Sequence, residues 1–124
     1  MKVIATPNAP GAIGPYSQGY EVNGFVFTSG QVPIIPATGE ILQGDIAAQA
    51  EQSCKNVGAI LEAAGCGFEN VIKTTCFLAN MEDFAAFNEV YGRYFVSKPA
   101  RSCVAVKQLP KNVLCEVEAI AVKG

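Results

Sequence analysis

The sequence predicts an α+β fold in the order ββαβαββ, a mixed sheet with two helices packed on one face. Three observations predict it. Two short runs of alternating apolar and polar residues flank Asn23-Gly24. Two longer segments repeat their apolar residues at helical spacing. Between those segments lies a run rich in β-branched residues.

The first element is a hairpin in "GYEVNGFVFTSG". Asn-Gly at its centre suits a type I′ turn, which needs positive φ at both central residues. After Gln31, "VPIIPATGE" carries two prolines and reads as a loop. A helix follows, with Asp45 as its N-cap and Gly65 at the C′ position. Ile46, Ala50, Cys54, Val57, Leu61 and Ala64 form its apolar stripe. "NVIKTTCFLAN" is a strand by its β-branched content. A second helix is expected from Asn80, a cap with Asp83 three residues on, through the stripe Phe84, Phe87, Val90, Tyr91 and Tyr94. Pro99 forbids its continuation. Strands around 101–107 and 112–122 close the chain. Two helices can cover only one face of such a sheet, so the other face is left bare. A bare apolar face on a chain with 16% charged residues, against roughly 25% in an average domain, predicts self-association.

Composition removes several function classes. At 124 residues the chain is long enough for one domain with a real core, taken as residues 1–124 without an internal linker. No apolar run approaches the ~18 residues of a membrane span, and "MKVIATPNAPGAIG" lacks the apolar centre of a secretory signal. A net charge of −2 with scattered basic residues gives no footprint for nucleic acid. Five cysteines at wide spacing, with no C-x-x-C, argue against a disulfide framework or a metal site and for reduced thiols in the cytoplasm. The chain has no histidine. Serine and cysteine triads that need an imidazole are excluded, and any proton transfer falls to Glu, Asp, Lys, Tyr, Cys or water.

The C-terminal "PARSCVAVKQLPKNVLCEVEAIAV" holds the candidate chemistry. If the last two strands pair as a hairpin through "QLPK", Cys103 lies opposite Glu116 and Arg101 opposite Glu118. All four would then share one face. Two readings of Arg101 stay open on spacing: a cross-strand ion pair with Glu118, or a bidentate grip on an external carboxylate. Cys103 has no base to activate it and is read as a small pocket-lining residue. Tyr16, Ser17, Ser29 and Gly30 lie in turn-like contexts, where polar side chains are usually satisfied locally. "GAIGPYSQG" lacks both GxGxxG and the Lys-Ser/Thr of a phosphate loop.

Four stretches in this order, "NAPGAIGPYSQG", "TSGQVP", "KTTCFLANMEDF" and the C-terminal segment, resemble the Rid family, the YjgF-type reactive intermediate deaminases. The resemblance runs from about residue 4 to residue 123. It implies a chorismate-mutase-like homotrimer with a barrel-like centre and sites in clefts between subunits. It implies hydrolysis of 2-iminoacids and related enamines to 2-oxoacids and ammonia, with no metal or organic cofactor. Arg101 matches the family arginine that holds the substrate carboxylate, and Glu116 the glutamate associated with the water. Tyr16, Ser29, Gly30, Asn88 and Cys103 match positions lining the cleft. The implied ligand is a small anionic 2-iminoacid or 2-oxoacid. Two rival readings stand beside this one: an endoribonuclease or translation inhibitor, and a non-catalytic metabolite-binding or chaperone-like trimer.

Overall fold

A computed structural model describes all 124 residues. The chain runs β1 (Lys2–Ile4), β2 (Gly19–Val22), β3 (Phe25–Thr28), α1 (Ile46–Ala63), β4 (Val71–Leu78), α2 (Phe84–Tyr94), β5 (Ala100–Ala105) and β6 (Cys115–Val122). The expected order is therefore preceded by one further strand. Three residues are too few to show alternation in a sequence, and β1 is strand only because β2 offers it an edge.

Local signals act as their chemistry dictates. Asn23 and Gly24 have φ of 51° and 81°, the pair of positive values that a I′ turn needs. Asp45 Oδ1 accepts from the Ala48 amide at 3.0 Å and starts α1. Gly65, at φ 85°, ends it. Asn80 does not cap α2 as expected. It starts a 3₁₀ turn over Met81–Asp83, in which the Asp83 amide donates to the Asn80 carbonyl at 3.1 Å. That backbone bond leaves the Asn80 side chain without a capping bond, and α2 begins at Phe84.

The six strands form one mixed sheet in the order β1-β2-β3-β6-β4-β5, parallel only between β4 and β5. Both helices pack on one face. Ser53 of α1 contacts Cys115 of β6, and Tyr91 of α2 bonds Thr74 of β4 at 2.6 Å. The buried core lies between, with Val57, Ile60, Leu61 and Phe87 against Val26, Cys76, Leu78 and Val117. Phe87 is fully buried. Phe87→Ala should lower the unfolding free energy by about 3–5 kcal/mol, read as a shift of the urea midpoint.

The expected hairpin of the last two strands does not form. β4 lies between β5 and β6 and pairs with both. Thr74 sits beside Arg101 on one side and Ala119 on the other, while Phe77 sits between Val104 and Glu116. Arg101 and Cys103 therefore face the helices, and Glu116 and Glu118 face away. This overturns the reading that all four share one face. Parity counting holds only between strands that share a ladder, and here an apolar strand took the central place. The face away from the helices carries Phe25 and Phe27, 40% and 39% exposed, together with Tyr20 and Val104.

Candidate functional site in two halves

The first half is built where residues 29–31 run beside β6. Gln31 and Val117 exchange backbone bonds, Gln31 N to Val117 O at 2.8 Å and Val117 N to Gln31 O at 3.1 Å. This clamp lays Gly30 directly against the Glu116 carboxylate. A Cβ on Gly30 would overlap that carboxylate, so the glycine is required for close approach rather than for an unusual φ. Ser29 Oγ donates to the Ser17 carbonyl at 2.5 Å. Gln18 staples the N-terminal loop through bonds to Thr6, Ala9 and Pro10. The result is a cavity of about 470 Å³, lined by Tyr16, Ser29, Gly30, Glu116, Glu118 and Lys111 among others. Burial raises the Glu116 carboxyl above its ordinary range, and the Glu118 charge raises it further.

The second half lies on the opposite face. Arg101 Nη1 donates to Asn88 Oδ1 at 2.7 Å. The guanidinium carbon sits 4.8 Å from the Tyr91 ring centroid and 5.4 Å from that of Phe84. Tyr91 is itself held by Thr74 and stacks on Phe95 at 4.5 Å. The helix thus fixes the arginine by one hydrogen bond and two aromatic faces. No carboxylate of the chain pairs with it, since the ion pairs are Lys55–Glu51 and Lys123–Glu21. The Arg101–Glu118 pair does not form. A guanidinium has five N–H donors, so several remain for an outside anion. Arg101, Asn88, Tyr91 and Lys98 line a cavity of about 510 Å³ that shares no residue with the first. Cys103, two residues on and half-buried, has its thiol raised by burial and lowered less by Arg101. It stays protonated at neutral pH and is no nucleophile.

Of the expected site residues, Tyr16, Ser29, Gly30 and Glu116 come together in one cavity. Arg101, Asn88 and Cys103 come together on the other face. Phe84 and Tyr91, expected only as part of the apolar stripe of α2, also hold the arginine. Their spacing with Asn88, at i, i+4 and i+7 from Phe84, places all three on one side of α2, and that spacing is the signal for their second role. Gln18 and Lys111 carried no local pattern that marks a cavity. No cluster of three His, Cys, Asp or Glu side chains is close enough to hold a metal ion.

A family model described as endoribonuclease L-PSP matches residues 6–123. The chain is 52% identical over 126 residues to a 2-iminobutanoate/2-iminopropanoate deaminase of Escherichia coli K12, covering 98% of each. Other relatives at similar identity carry only the RutC family name. Among solved structures, the Escherichia coli YjgF gene product matches with a TM-score of 0.95 at 50% identity, over 100% of both chains. Escherichia coli TdcF with bound serine matches with the same score, identity and coverage.

Proposed function

The chain belongs to the endoribonuclease L-PSP family, the Rid or YjgF group, and from that premise we propose that it hydrolyses small 2-iminoacids and related enamines to 2-oxoacids and ammonia. The observation that carries the proposal is the division of the machinery between two sheet faces. Arg101 can bind a carboxylate and Glu116 can hold a water, yet within one chain they point apart. A cleft between subunits joins the Arg101 half of one copy to the Glu116 half of the next. A heterologous contact of this kind generates a ring when its rotation closes. We take the ring as a chorismate-mutase-like homotrimer, with the uncovered faces bearing Phe25, Phe27 and Tyr20 turned into a barrel-like centre. Residues 1–124 serve as one Rid-type domain, and the five free thiols suit the cytoplasm.

In this cleft Arg101 grips the substrate carboxylate, and Asn88, Tyr91 and Phe84 keep its fork in plane. Cys103 lines the same side. Tyr16, Ser29 and Gly30 line the other side around Glu116. The ionised Glu116 accepts a proton from a water, whose oxygen forms the bond to C2. The proton passes to the substrate nitrogen. Glu116, ionised again, takes the proton of the C2 hydroxyl and passes it to the amino nitrogen; the C–N bond breaks, ammonia leaves, and the C2 oxygen becomes the carbonyl of the 2-oxoacid. An imine carbon is already electrophilic, so orientation and one modest base suffice without histidine or cofactor. The serine bound to TdcF, an amino acid with a free carboxylate, suits such a cleft.

The test generates 2-iminopropanoate in situ and follows its decay with and without the protein. Accelerated decay is expected, and decay at the uncatalysed rate would refute the assignment. A ribonuclease reading fits the site less well, because two carboxylates line the Glu116 cavity against one lysine, a poor setting for phosphates. Glu118 offers a pH test. Its charge raises the Glu116 carboxyl, and the base works only when ionised. Activity should fall as pH drops through that raised value. Glu118→Gln should move the acid limb of kcat/KM to lower pH, and an unmoved limb would remove Glu118 from the account.

A further inference from the structure

We propose that the Arg101 cavity also binds a second carboxylate, held by Lys98, so that 2-imino dicarboxylates are accepted alongside the smaller monocarboxylates. This rests on the deaminase reading of the same cleft. The cavity of about 510 Å³ is lined by eight residues, of which Lys98 and Arg101 are the charged ones. Both are cations, and no acid stands among the lining. Neither forms an ion pair within the chain. Two uncompensated positive charges in one cavity of a chain with net charge −2 are a sink for an anion. One substrate carboxylate fills the fork of Arg101 and leaves the Lys98 ammonium without a partner.

The backbone supports the assignment. Lys98 has φ 52°, a left-handed conformation that lysine adopts only at a steric cost. Pro99 follows it and narrows its choices further. The turn is held by the Lys98 amide donating to Phe95 O at 3.1 Å and by Ser97 Oγ donating to Val71 O at 2.6 Å. Phe95, at the end of α2, is buried. The fold thus fixes a lysine at an unfavourable φ three residues from Arg101. Three residues span at most about 10 Å of chain. A flexible ammonium can cover that gap to the far end of a four- or five-carbon diacid.

The experiment titrates the protein with 2-oxoglutarate and with 2-oxoglutaramate, which has the same length but an uncharged end, at low and at high salt. Wild type is expected to bind 2-oxoglutarate roughly 2–5-fold more tightly at low salt, with the difference shrinking at high salt. Lys98→Asn, which tolerates the left-handed turn, should remove the difference. Lys98→Arg should restore it. Equal affinities in wild type, or a preference that survives Lys98→Asn, would overturn the second-carboxylate site. If wild type prefers 2-oxoglutarate yet accelerates decay of no imine, the deaminase reading falls and the dicarboxylate site stands. If it accelerates 2-iminopropanoate decay and shows no preference, only the Lys98 inference falls. If it binds neither compound and accelerates decay of no imine, both fall.

Discussion

Arg101→Ala is expected to lower kcat/KM for 2-iminopropanoate by about 10²–10⁴-fold, because the carboxylate loses both its charge partner and its orientation. The fold should survive the change. Arg101 is half-buried, and so is Asn88, its one hydrogen-bond partner in the chain. Tyr91 keeps its bond to Thr74 and its stack on Phe95. Circular dichroism and the urea midpoint should therefore stay close to wild type. Arg101→Lys should recover part of the rate only, since an ammonium keeps the charge and loses the planar fork seated between Phe84 and Tyr91. Wild-type turnover by Arg101→Ala would remove the carboxylate grip from the mechanism.

Glu116→Gln should reduce kcat by about 10²–10⁴-fold while 2-oxobutanoate still binds, because a base is lost and the Arg101 grip is kept. Gly30→Ala reaches the same carboxylate by another route. Its new Cβ occupies the space of the Glu116 carboxylate and forces it away from the cleft. A large fall in kcat with retained 2-oxoacid binding is expected there too, although glutamate is still present. If Glu116→Gln turned over at the wild-type rate, the water would be held elsewhere.

How much of this was legible in the sequence depends on the range of the interaction that decides each feature. The Asn23-Gly24 turn, the Asp45 cap and the Gly65 stop are fixed by contacts within a few residues, and they were readable. So was the apolar stripe of α1. β1 was missed because its strand state comes from pairing with β2 across the N-terminal loop. The hairpin of β5 and β6 was wrong for the same kind of reason. The stretch "QLPK" looks like a short connection, but Pro110–Asn112 makes a 3₁₀ turn and residues 106–114 carry the chain past β4. The insertion of β4 between β5 and β6 changes the site most. A hairpin would set Arg101 beside Glu118, whereas the observed register sets them on opposite faces. That Phe84, Asn88 and Tyr91 share one side of α2 is written in their spacing, but that this side lands over Arg101 and Thr74 is a tertiary contact that no local spacing encodes.

The most direct measurement mixes two inactive variants. Arg101→Ala and Glu116→Gln proteins are unfolded together in equal amounts, refolded, and assayed for 2-iminopropanoate decay. If each cleft takes Arg101 from one subunit and Glu116 from its neighbour, about one quarter of the clefts in randomly mixed rings carry both intact residues. Activity should return to about that fraction of wild type. A mixture no more active than its two parents, in rings shown by mass to contain both chains, would contradict the intersubunit site.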